Sequence, residues 1–409
     1  MPVPRGFRFM ANTPLLAAAF LAAFSPAAEA AAGARGSLFP QTPSGIHLEM
    51  VFNYDLSQSQ LSEETGVVDL VWGSSYATLP AGMYNSAYIP YSEDNFTYSV
   101  AWYQANHPDW LEYQCDQMTL AYEYGSDLAP LDIANPAVQQ FQWQNWVDAP
   151  LAAGYQGIAV DTMALGNAFA RCGHFDLSGT WVQQYTGQYR DPQFVSDTLA
   201  WEAATYAHIH GDSATATMQA NVSYDFGASL ADNQALMGTT DLLFDERGFT
   251  NWGVKPNWNY GSEWTTIVQQ IAWLQSQGIC YMTNGEEPGL TADITLAERL
   301  WIMANYLLVR NNCTYMYISG YLANGEQDYG RLITFKQYGV AIGSPTGAMT
   351  QTQTIWERPY SGGWTLVNPN NKVVTVTLPS GQWVNVDGAA LVSPLKMQAH
   401  SGQVLLPAP

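Results

Sequence analysis

Positive charge is scarce in this 409-residue sequence. Only 14 Lys and Arg stand against 35 Asp and Glu, which gives a formal net charge of -21. Such a chain would repel an anionic partner, whether nucleic acid or an anionic membrane surface. We therefore expect no nucleic-acid partner and no membrane partner, and neutral or cationic ligands fit better.

Long hydrophobic runs are also missing. The apolar run at residues 15–24 is too short to span a bilayer, which takes roughly 20 residues, and no later stretch approaches that length. Arg5 and Arg8 precede this run, and small residues follow it at positions 27–32. The pattern is typical of a cleaved secretory signal peptide. We predict that residues 1–32 are removed and that the protein is periplasmic or secreted.

Cysteine and histidine are rare as well. The chain has 4 Cys, 6 His and no Cys-x-x-Cys pair, so we expect no metal site and no cofactor. In an exported protein four cysteines favour two disulfides. We predict a bond between Cys280, in one candidate strand, and Cys313, just before the next. Cys115 and Cys172 would pair in loops at the opposite rim of the fold. Four buried free thiols are the alternative.

Apolar and aromatic residues are plentiful. Hydrophobic residues make up 47% of the chain and aromatic residues 13%, including 15 Trp and 24 Tyr. One interpretation is a large core; the other is a sugar-binding cleft, where aromatic faces stack on pyranose rings. Both can hold for different residues.

Short apolar runs recur along the chain with helical patterns between them. Eight of these runs are candidate strands, at residues 47–54, 67–73, 86–91, 157–161, 214–221, 241–246, 279–284 and 315–319. The clearest helical segments are at residues 136–153, 191–209, 262–277 and 294–308. Strands that alternate with helices in this way predict an α/β fold, a (β/α)8 TIM barrel.

The pattern changes near residue 339. Helical signals stop there, and short alternating runs follow, separated by Asn-Pro-Asn-Asn, Pro-Ser-Gly and Asp-Gly turns. Runs of this kind predict a small antiparallel β-sandwich. The predicted organisation is a signal peptide (1–32), a catalytic barrel (33–338) and a C-terminal β-sandwich (339–409).

Carboxylates follow two of the most apolar candidate strands. Asp161 is the first charge after the run at 158–160, and Asp245 and Glu246 end the run at 241–246. In a barrel, the carboxyl ends of the strands form the active-site rim. Cleavage of a glycosidic bond takes two opposed carboxyl groups, so we hypothesise a glycosidase. The alternative for Asp161 is a helix-capping or salt-bridged residue.

Asp245 and Glu246 are neighbours, and side chains alternate along a strand. Only one of the two can face the barrel axis, and the pattern does not say which. Further candidate substrate-binding residues lie at or near predicted strand ends, or in a loop: Asn53, Tyr54, Asp55, Trp72, Trp110, Asn221, Asp245, Trp252, Asn284 and Glu286. For the aromatic residues the alternative is packing, and for the amides it is a hydrogen bond at a turn or strand end.

Five segments occur in a characteristic order: His107-Pro-Asp-Trp110, Leu131-Asp-Ile-Ala-Asn-Pro136, Gly154-Tyr-Gln-Gly-Ile-Ala-Val-Asp161, Trp364-Thr-Leu-Val-Asn-Pro369 and His400-Ser-Gly-Gln-Val-Leu-Leu406. This order resembles a group of bacterial glycoside hydrolases, barrel enzymes with a C-terminal β-sandwich. They are distantly similar to endo-α-1,4-polygalactosaminidase and α-galactosidase-like families. The resemblance covers the chain from about Phe52 to Leu406.

The resemblance implies a catalytic pair, formed by an Asp after the fourth strand and an acid after the sixth. It gives Asp161 the role of nucleophile or stabiliser and Glu246 the role of acid/base. The chain departs from the family pattern at Gln156, where Asp is frequent, and at Thr162, where Asn or Val is frequent.

The function expected from the sequence is that of an exported glycoside hydrolase without a metal. It would cleave O-glycosidic bonds, α-linked by the resemblance, in an extracellular polysaccharide. The alternative is a non-catalytic carbohydrate-binding protein on a degenerate barrel. An esterase lacks support, because no Gly-x-Ser-x-Gly elbow occurs.

Overall fold

The computed structural model describes residues 35–41, 44–53, 56–94, 96–123, 128–251, 262–322, 328, 334–352 and 354–409. The predicted signal peptide lies outside the described residues, as do the candidates Tyr54, Asp55 and Trp252. Within the described part of the chain, no helix has both the length and the apolar character needed to cross a membrane.

Eight parallel strands close into a barrel, as predicted. They are β1 (Leu48–Val51), β2 (Val68–Trp72), β3 (Tyr84–Pro90), β4 (Gly157–Asp161), β5 (Thr217–Asn221), β6 (Leu242–Asp245), β7 (Cys280–Pro288) and β8 (Thr314–Tyr321). Each strand pairs with its neighbours in chain order, and β1 pairs with β8. The carboxyl ends of all eight strands therefore lie at one rim.

The helices among the described residues are α1 (Gln58–Glu63), α2 (Val100–Asn106), α3 (Pro136–Gln142), α4 (Ala149–Ala153), α5 (Pro192–Asp212), α6 (Leu230–Gly238), α7 (Ser262–Ser276) and α8 (Leu296–Val309). Short 3-10 turns occur at Pro108–Trp110, Thr291–Asp293 and Lys336–Gly339.

Strand β4 has the predicted bounds, and the other seven strands differ from theirs by one to four residues at one or both ends. Strand β5 begins at Thr217 because the hydroxyl of Ser213 accepts a hydrogen bond from the backbone N–H of Ala216 at 3.2 Å, which makes the preceding residues a turn. Strand β7 continues to Pro288, beyond the predicted end at residue 284. Glu286 therefore lies within a strand.

The predicted helix at 136–153 is interrupted. It begins as expected, with the Asn135 side chain accepting from the N–H of Ala137 at 2.9 Å, and it ends at Gly154 with φ 106°. Between α3 and α4, residues Trp143–Asp148 form a π-helix. Pro150 has no N–H to donate to the carbonyl of Trp146, and its ring crowds that carbonyl, which accounts for the local widening.

The C-terminal region is antiparallel β structure, as predicted. Its strands are β9 (Thr350–Thr352), β10 (Ile355–Tyr360), β11 (Gly363–Asn368), β12 (Val374–Val376), β13 (Trp383–Val384), β14 (Ala390–Leu391), β15 (Leu395–Met397) and β16 (Ser401–Pro407). One sheet has the order β9-β10-β11-β16-β13-β14, and β12 pairs with β15. The two sheets share a core that includes Ile355, Leu366, Val376, Met397 and Leu405. The domain division at residue 339 stays a prediction.

This β region packs closely on helix α8. A Cβ added to Gly402 of β16 would lie 2.3 Å from the carbonyl oxygen of Leu300, so only glycine allows this approach. The hydroxyl of Thr365 donates to the carbonyl of Ala304 at 3.2 Å, and that of Tyr360 donates to the carbonyl of Leu307. The contact extends along most of the helix.

Both predicted disulfides are confirmed. Cys280 and Cys313 are bonded with their Cα atoms 5.2 Å apart, which ties the start of β7 to the residue before β8. Cys115 and Cys172, with Cα atoms 5.1 Å apart, join the loop after β3 to the loop after β4. Two disulfides and no free cysteine fit an oxidising, non-cytoplasmic compartment.

Two buried glutamates have no polar partner for their carboxyl groups. Glu49 of β1 and Glu202 of α5 are fully buried, and neither oxygen of either side chain makes a hydrogen bond. Burial raises the pKa of both carboxyls well above the ordinary value. A raised pKa in the folded state means that ionisation destabilises the fold.

We predict that Glu202→Gln flattens the pH dependence of stability. The contribution of Glu202 to stability should be fully present below about pH 4.5, the ordinary glutamate pKa, and be lost as the pH rises through the raised folded-state pKa. Because Gln cannot ionise, the stability of the variant relative to wild type should rise from pH 4.5 to pH 8, by about 1.4 kcal/mol for each pH unit up to the folded-state pKa. The measurement is urea unfolding at pH 4.5 and pH 8. Glu63→Gln, at an exposed position of α1, is the control. An identical stability difference at both pH values would contradict the prediction.

Candidate active site

Strands β4, β5 and β6 bring Asp161, Asn221 and Glu246 together at the carboxyl-end rim. On β6, Leu242 and Phe244 belong to the apolar cluster inside the barrel, whereas Leu243 packs in the layer between barrel and helices. Glu246 follows Phe244 by two residues and lies on the inner side, within hydrogen-bond reach of Asn221.

Asp245 has the opposite orientation. Its carboxylate accepts hydrogen bonds from the hydroxyls of Ser223 at 3.1 Å and Tyr281 at 3.2 Å. Tyr281 belongs to the helix-side core. Burial is the main cause that raises the pKa of Asp245. The structure therefore places Glu246, rather than Asp245, beside Asp161.

One amide group connects the two inward-facing acids. Nδ2 of Asn221 donates to Oδ1 of Asp161 at 2.8 Å and to Oε2 of Glu246 at 3.1 Å. The two acceptor oxygens are therefore no further apart than the sum of these lengths, 5.9 Å. An amide whose two N–H bonds, about 120° apart, both pointed straight at their acceptors would hold the oxygens about 5 Å apart.

Asp161 receives further hydrogen bonds. The Tyr88 hydroxyl donates to Oδ2 at 3.1 Å, and the backbone N–H of Thr162 also donates to the carboxylate. Burial, and then the neighbouring charge of Glu246, raise the pKa of Asp161 to about 6. The donors from Asn221, Thr162 and Tyr88 act in the opposite direction, because each stabilises the ionised form.

The backbone on both sides of the pair has unusual geometry. Thr162 has φ 62°, a left-handed conformation that is rare for a β-branched residue and costs free energy. This conformation accompanies the hydrogen bond from its N–H to Asp161. After Glu246, Gly248 has φ 47°, and a Cβ there would lie 2.1 Å from the carbonyl oxygen of Asn284. The turn after β6 can therefore approach β7 closely.

Asn284 and Glu286 lie on the next strand. Asp245 pairs with Thr283, so Glu246 is level with Asn284. Both candidates are buried, and Asn284 Nδ2 donates to Glu286 Oε1 at 2.9 Å. The Ser319 hydroxyl of β8 donates to Asn284 Oδ1 at 3.2 Å. The structure thus places another carboxyl group on the strand beside Glu246.

Three other candidates make contacts typical of packing or loop anchoring. Asn53 accepts from the backbone N–H of Ser75 at 2.7 Å and so holds the loop after β2. Trp72 is 1% exposed, inside the barrel against Phe244. Trp110 is 9% exposed and stacks on His107, with ring centroids 3.9 Å apart. The two tryptophans make the packing contacts considered as their alternative, and a substrate-binding role for all three residues stays a prediction.

Sequence reasoning missed Tyr88 and Thr162. Period-two alternation along β3 puts Tyr84, Ser86 and Tyr88 on one side of the strand, so that pattern alone could have identified Tyr88. The left-handed conformation of Thr162 has no comparable signal. Arg247 points away from the pair: it donates to the carbonyl of Tyr224 at 3.0 Å and lies over the Phe226 ring.

A buried charged network connects the loops after β3 and β4. Arg171 is buried and donates to Glu112 at 2.9 Å and to Glu123 at 2.6 Å. Burial raises the pKa of Glu112 to about 8, although Arg171 lowers it. Together with the disulfide between Cys115 and Cys172, this network ties the two loops to each other.

One group among the described residues has the donor atoms for a metal ion. Ligand atoms of Asp148, His208 and Asp212 lie within 4.8 Å of one another. His208 Nε2 is 2.7 Å from Asp148 and 3.5 Å from Asp212, and Asp212 is exposed. These residues lie on helices, apart from the rim, and their contacts are those of an ion pair.

No protein-family model matches the chain, and no curated protein matches its sequence. Solved structures do match. The alpha-glucosyl transfer enzyme XgtA has a TM-score of 0.52 at 12% identity, over 91% of this chain and 99% of that one. An alpha-amylase from Lactobacillus plantarum has a TM-score of 0.48 at 12% identity, over 91% and 99%. The glycoside hydrolase domain of PelA from Pseudomonas aeruginosa has a TM-score of 0.42 at 12% identity, over 67% and 94%.

At identities this low, the structural matches show a shared fold and nothing further. The chain shares the fold of XgtA, an eight-stranded parallel barrel, and an antiparallel β region follows the barrel in this chain. A fold of this kind hosts many reactions, so function has to be inferred from the carboxylate pair.

We predict that Asn221→Ala raises the pKa of Asp161 above about 6, because Asn221 donates one of the hydrogen bonds that stabilise the ionised carboxylate. The measurement is a pH titration of the ¹³C carboxyl shifts in protein labelled at aspartate, with the Asp161 signal identified by its loss in Asp161→Asn. Ser223→Ala is the matched control, since it removes a donor to the outward-facing Asp245. An unchanged or lower Asp161 pKa in Asn221→Ala would refute the proposed interaction.

Proposed function

We propose that the chain is an exported, retaining glycoside hydrolase that cleaves O-glycosidic bonds of an extracellular polysaccharide. The observation that carries the proposal is the pair Asp161 and Glu246, joined by one amide nitrogen of Asn221 and at most 5.9 Å apart at the bonded oxygens. Retaining enzymes hold their carboxyl groups about 5–5.5 Å apart, and inverting enzymes about 6.5–9.5 Å. The separation favours retention.

In the first step, Glu246 gives its proton to the glycosidic oxygen while the bond from that oxygen to the anomeric carbon breaks. A carboxylate oxygen of Asp161 bonds to the anomeric carbon from the opposite side. In the second step, Glu246 takes a proton from water, the water oxygen attacks the anomeric carbon, and the bond to Asp161 breaks. Both side chains then return to their starting states.

The hydrogen bonds around Asp161 suit the role of nucleophile. Asn221, Thr162 and Tyr88 all donate to its carboxylate and favour the ionised form, and they oppose burial and the charge of Glu246, which raise its pKa to about 6. Export is proposed from the signal-like N-terminus and the two disulfides. The α configuration of the linkage is proposed from the family resemblance.

We predict that Asp161→Asn and Glu246→Gln fold like the wild type and lose nearly all turnover, by at least about a thousandfold, since each removes an essential catalytic group. The assay is the release of reducing ends from a panel that includes neutral α-glucans, galactans and cationic galactosamine polymers. Retained turnover in either variant would remove that residue from the mechanism.

The matched control is Asp245→Asn, which alters the neighbouring acid on the opposite side of the strand. It should keep most of the turnover, and a loss as large as that of Glu246→Gln would reverse the choice between the two acids. A wild type that binds a glycan of the panel without cleaving any would instead favour the non-catalytic alternative.

We predict net retention of the anomeric configuration. Two displacements at the same carbon restore the starting stereochemistry. Proton NMR of the first minutes of hydrolysis, before mutarotation, identifies the anomer of the newly formed reducing end. Initial release of the opposite anomer would exclude Asp161 as a covalent nucleophile, and the pair would then have to act by inversion.

A further inference from the structure

Two exposed aromatic side chains and two half-buried ones lie near the segment after β3, apart from the carboxylate pair. Phe96 and Tyr98, in the segment after β3, are 56% and 41% exposed. The Tyr98 ring stacks on Trp102 of α2 with centroids 3.8 Å apart, and Phe141 of α3 lies 6.0 Å from Tyr98. We call Phe96, Tyr98, Trp102 and Phe141 the aromatic platform. Clustered exposed aromatic rings often mark a binding surface.

The backbone that carries Phe96 and Tyr98 is fixed by hydrogen bonds to one buried side chain. The buried carboxylate of Asp94 accepts hydrogen bonds from the backbone N–H groups of Phe96 at 3.0 Å, Thr97 at 2.8 Å and Tyr98 at 2.9 Å. It also accepts from the hydroxyl of Tyr103 at 2.7 Å. A surface that is already ordered loses little conformational entropy when a ligand binds. The exposed rings are therefore presented in a fixed arrangement.

The segments that form the platform are neutral and rich in amides. Residues 95–108 and 133–147 contain no Asp, Glu, Lys or Arg, although the chain carries a net charge of -21. The exposed side chains of these segments include Gln104, Asn106, Gln140, Gln144 and Asn145. Pyranose rings present C–H groups that pack on aromatic rings and hydroxyls that bond to amides. Neutral sugars suit this surface better than charged ligands do.

The platform lies within reach of the carboxylate pair. Pro90, the last residue of β3, pairs with Asp161 of β4. Phe96 follows Pro90 by six residues, so the chain places it at most about 20 Å beyond the strand end. A polysaccharide chain longer than this span is long enough to reach both.

We infer that the aromatic platform is a second glycan-binding surface, which holds a neutral stretch of polysaccharide beside the catalytic pair. The inference depends on the proposed function only for the choice of a glycan as the occupant. Binding can be measured without turnover, so its failure and a failure of the catalytic proposal give different results.

The test is native affinity electrophoresis of Glu246→Gln protein in gels that contain soluble starch or a neutral galactan. We expect migration to be retarded in at least one of these gels. Adding Phe96→Ala and Tyr98→Ala should raise the apparent Kd about tenfold, because two stacking rings are lost. The matched control is Leu177→Ala with Leu230→Ala, at residues that are 77% and 52% exposed and outside the platform. It should leave the retardation unchanged.

A second variant, Phe96→Lys, keeps the test valid if the double variant misfolds. It changes only the most exposed ring of the platform, puts a charge on the neutral surface, and should also weaken retardation. The inference is overturned if the parent protein is not retarded in either gel, or if both platform variants are retarded as strongly as the parent. It is also overturned if sedimentation shows a dimer that the platform variants lose, since the rings would then bind a second copy of the chain.

Discussion

Two carboxyl groups that repel each other are held at one place by a single amide. Asn221 donates both of its amide N–H bonds, one to Asp161 and one to Glu246. Burial makes ionised carboxylates costly, and a neighbouring charge adds to that cost. The three side chains come from strands β4, β5 and the end of β6, so the arrangement depends on the register of three adjacent strands. A shift of one residue in any of them would turn its group away from the axis.

The barrel sets this register and places apolar side chains next to the pair in its interior. Ala159, Phe244 and Met282 lie in the interior cluster below the pair, where they exclude water and lower the local dielectric constant. The disulfide between Cys280 and Cys313 ties β7 to β8, and the C-terminal strands pack along α8. The acids thus belong to the rigid part of the fold, as catalytic groups require.

The loops after β3 and β4 connect the pair to the outer rim. The first carries the aromatic platform, and the second begins at the strained residue Thr162 beside Asp161. The disulfide between Cys115 and Cys172 and the buried Arg171 network hold these loops together.

The sequence by itself determined the eight barrel strands and four of the eight C-terminal strands, β11, β12, β13 and β16. Buried parallel strands need continuous apolar runs, and turns need Gly, Pro and Asn, so these elements can be read locally. It also located Asp161 and Asn221 at strand ends, since a charge or an amide stops such a run. Only the tertiary structure decided which neighbour, Asp245 or Glu246, faces Asp161, because that depends on the side of β6 that meets the barrel interior. It also decided that Trp72 is enclosed whereas Phe96 and Tyr98 are exposed. An aromatic residue has the same local signal in either place, and its burial depends on the distant segments packed around it.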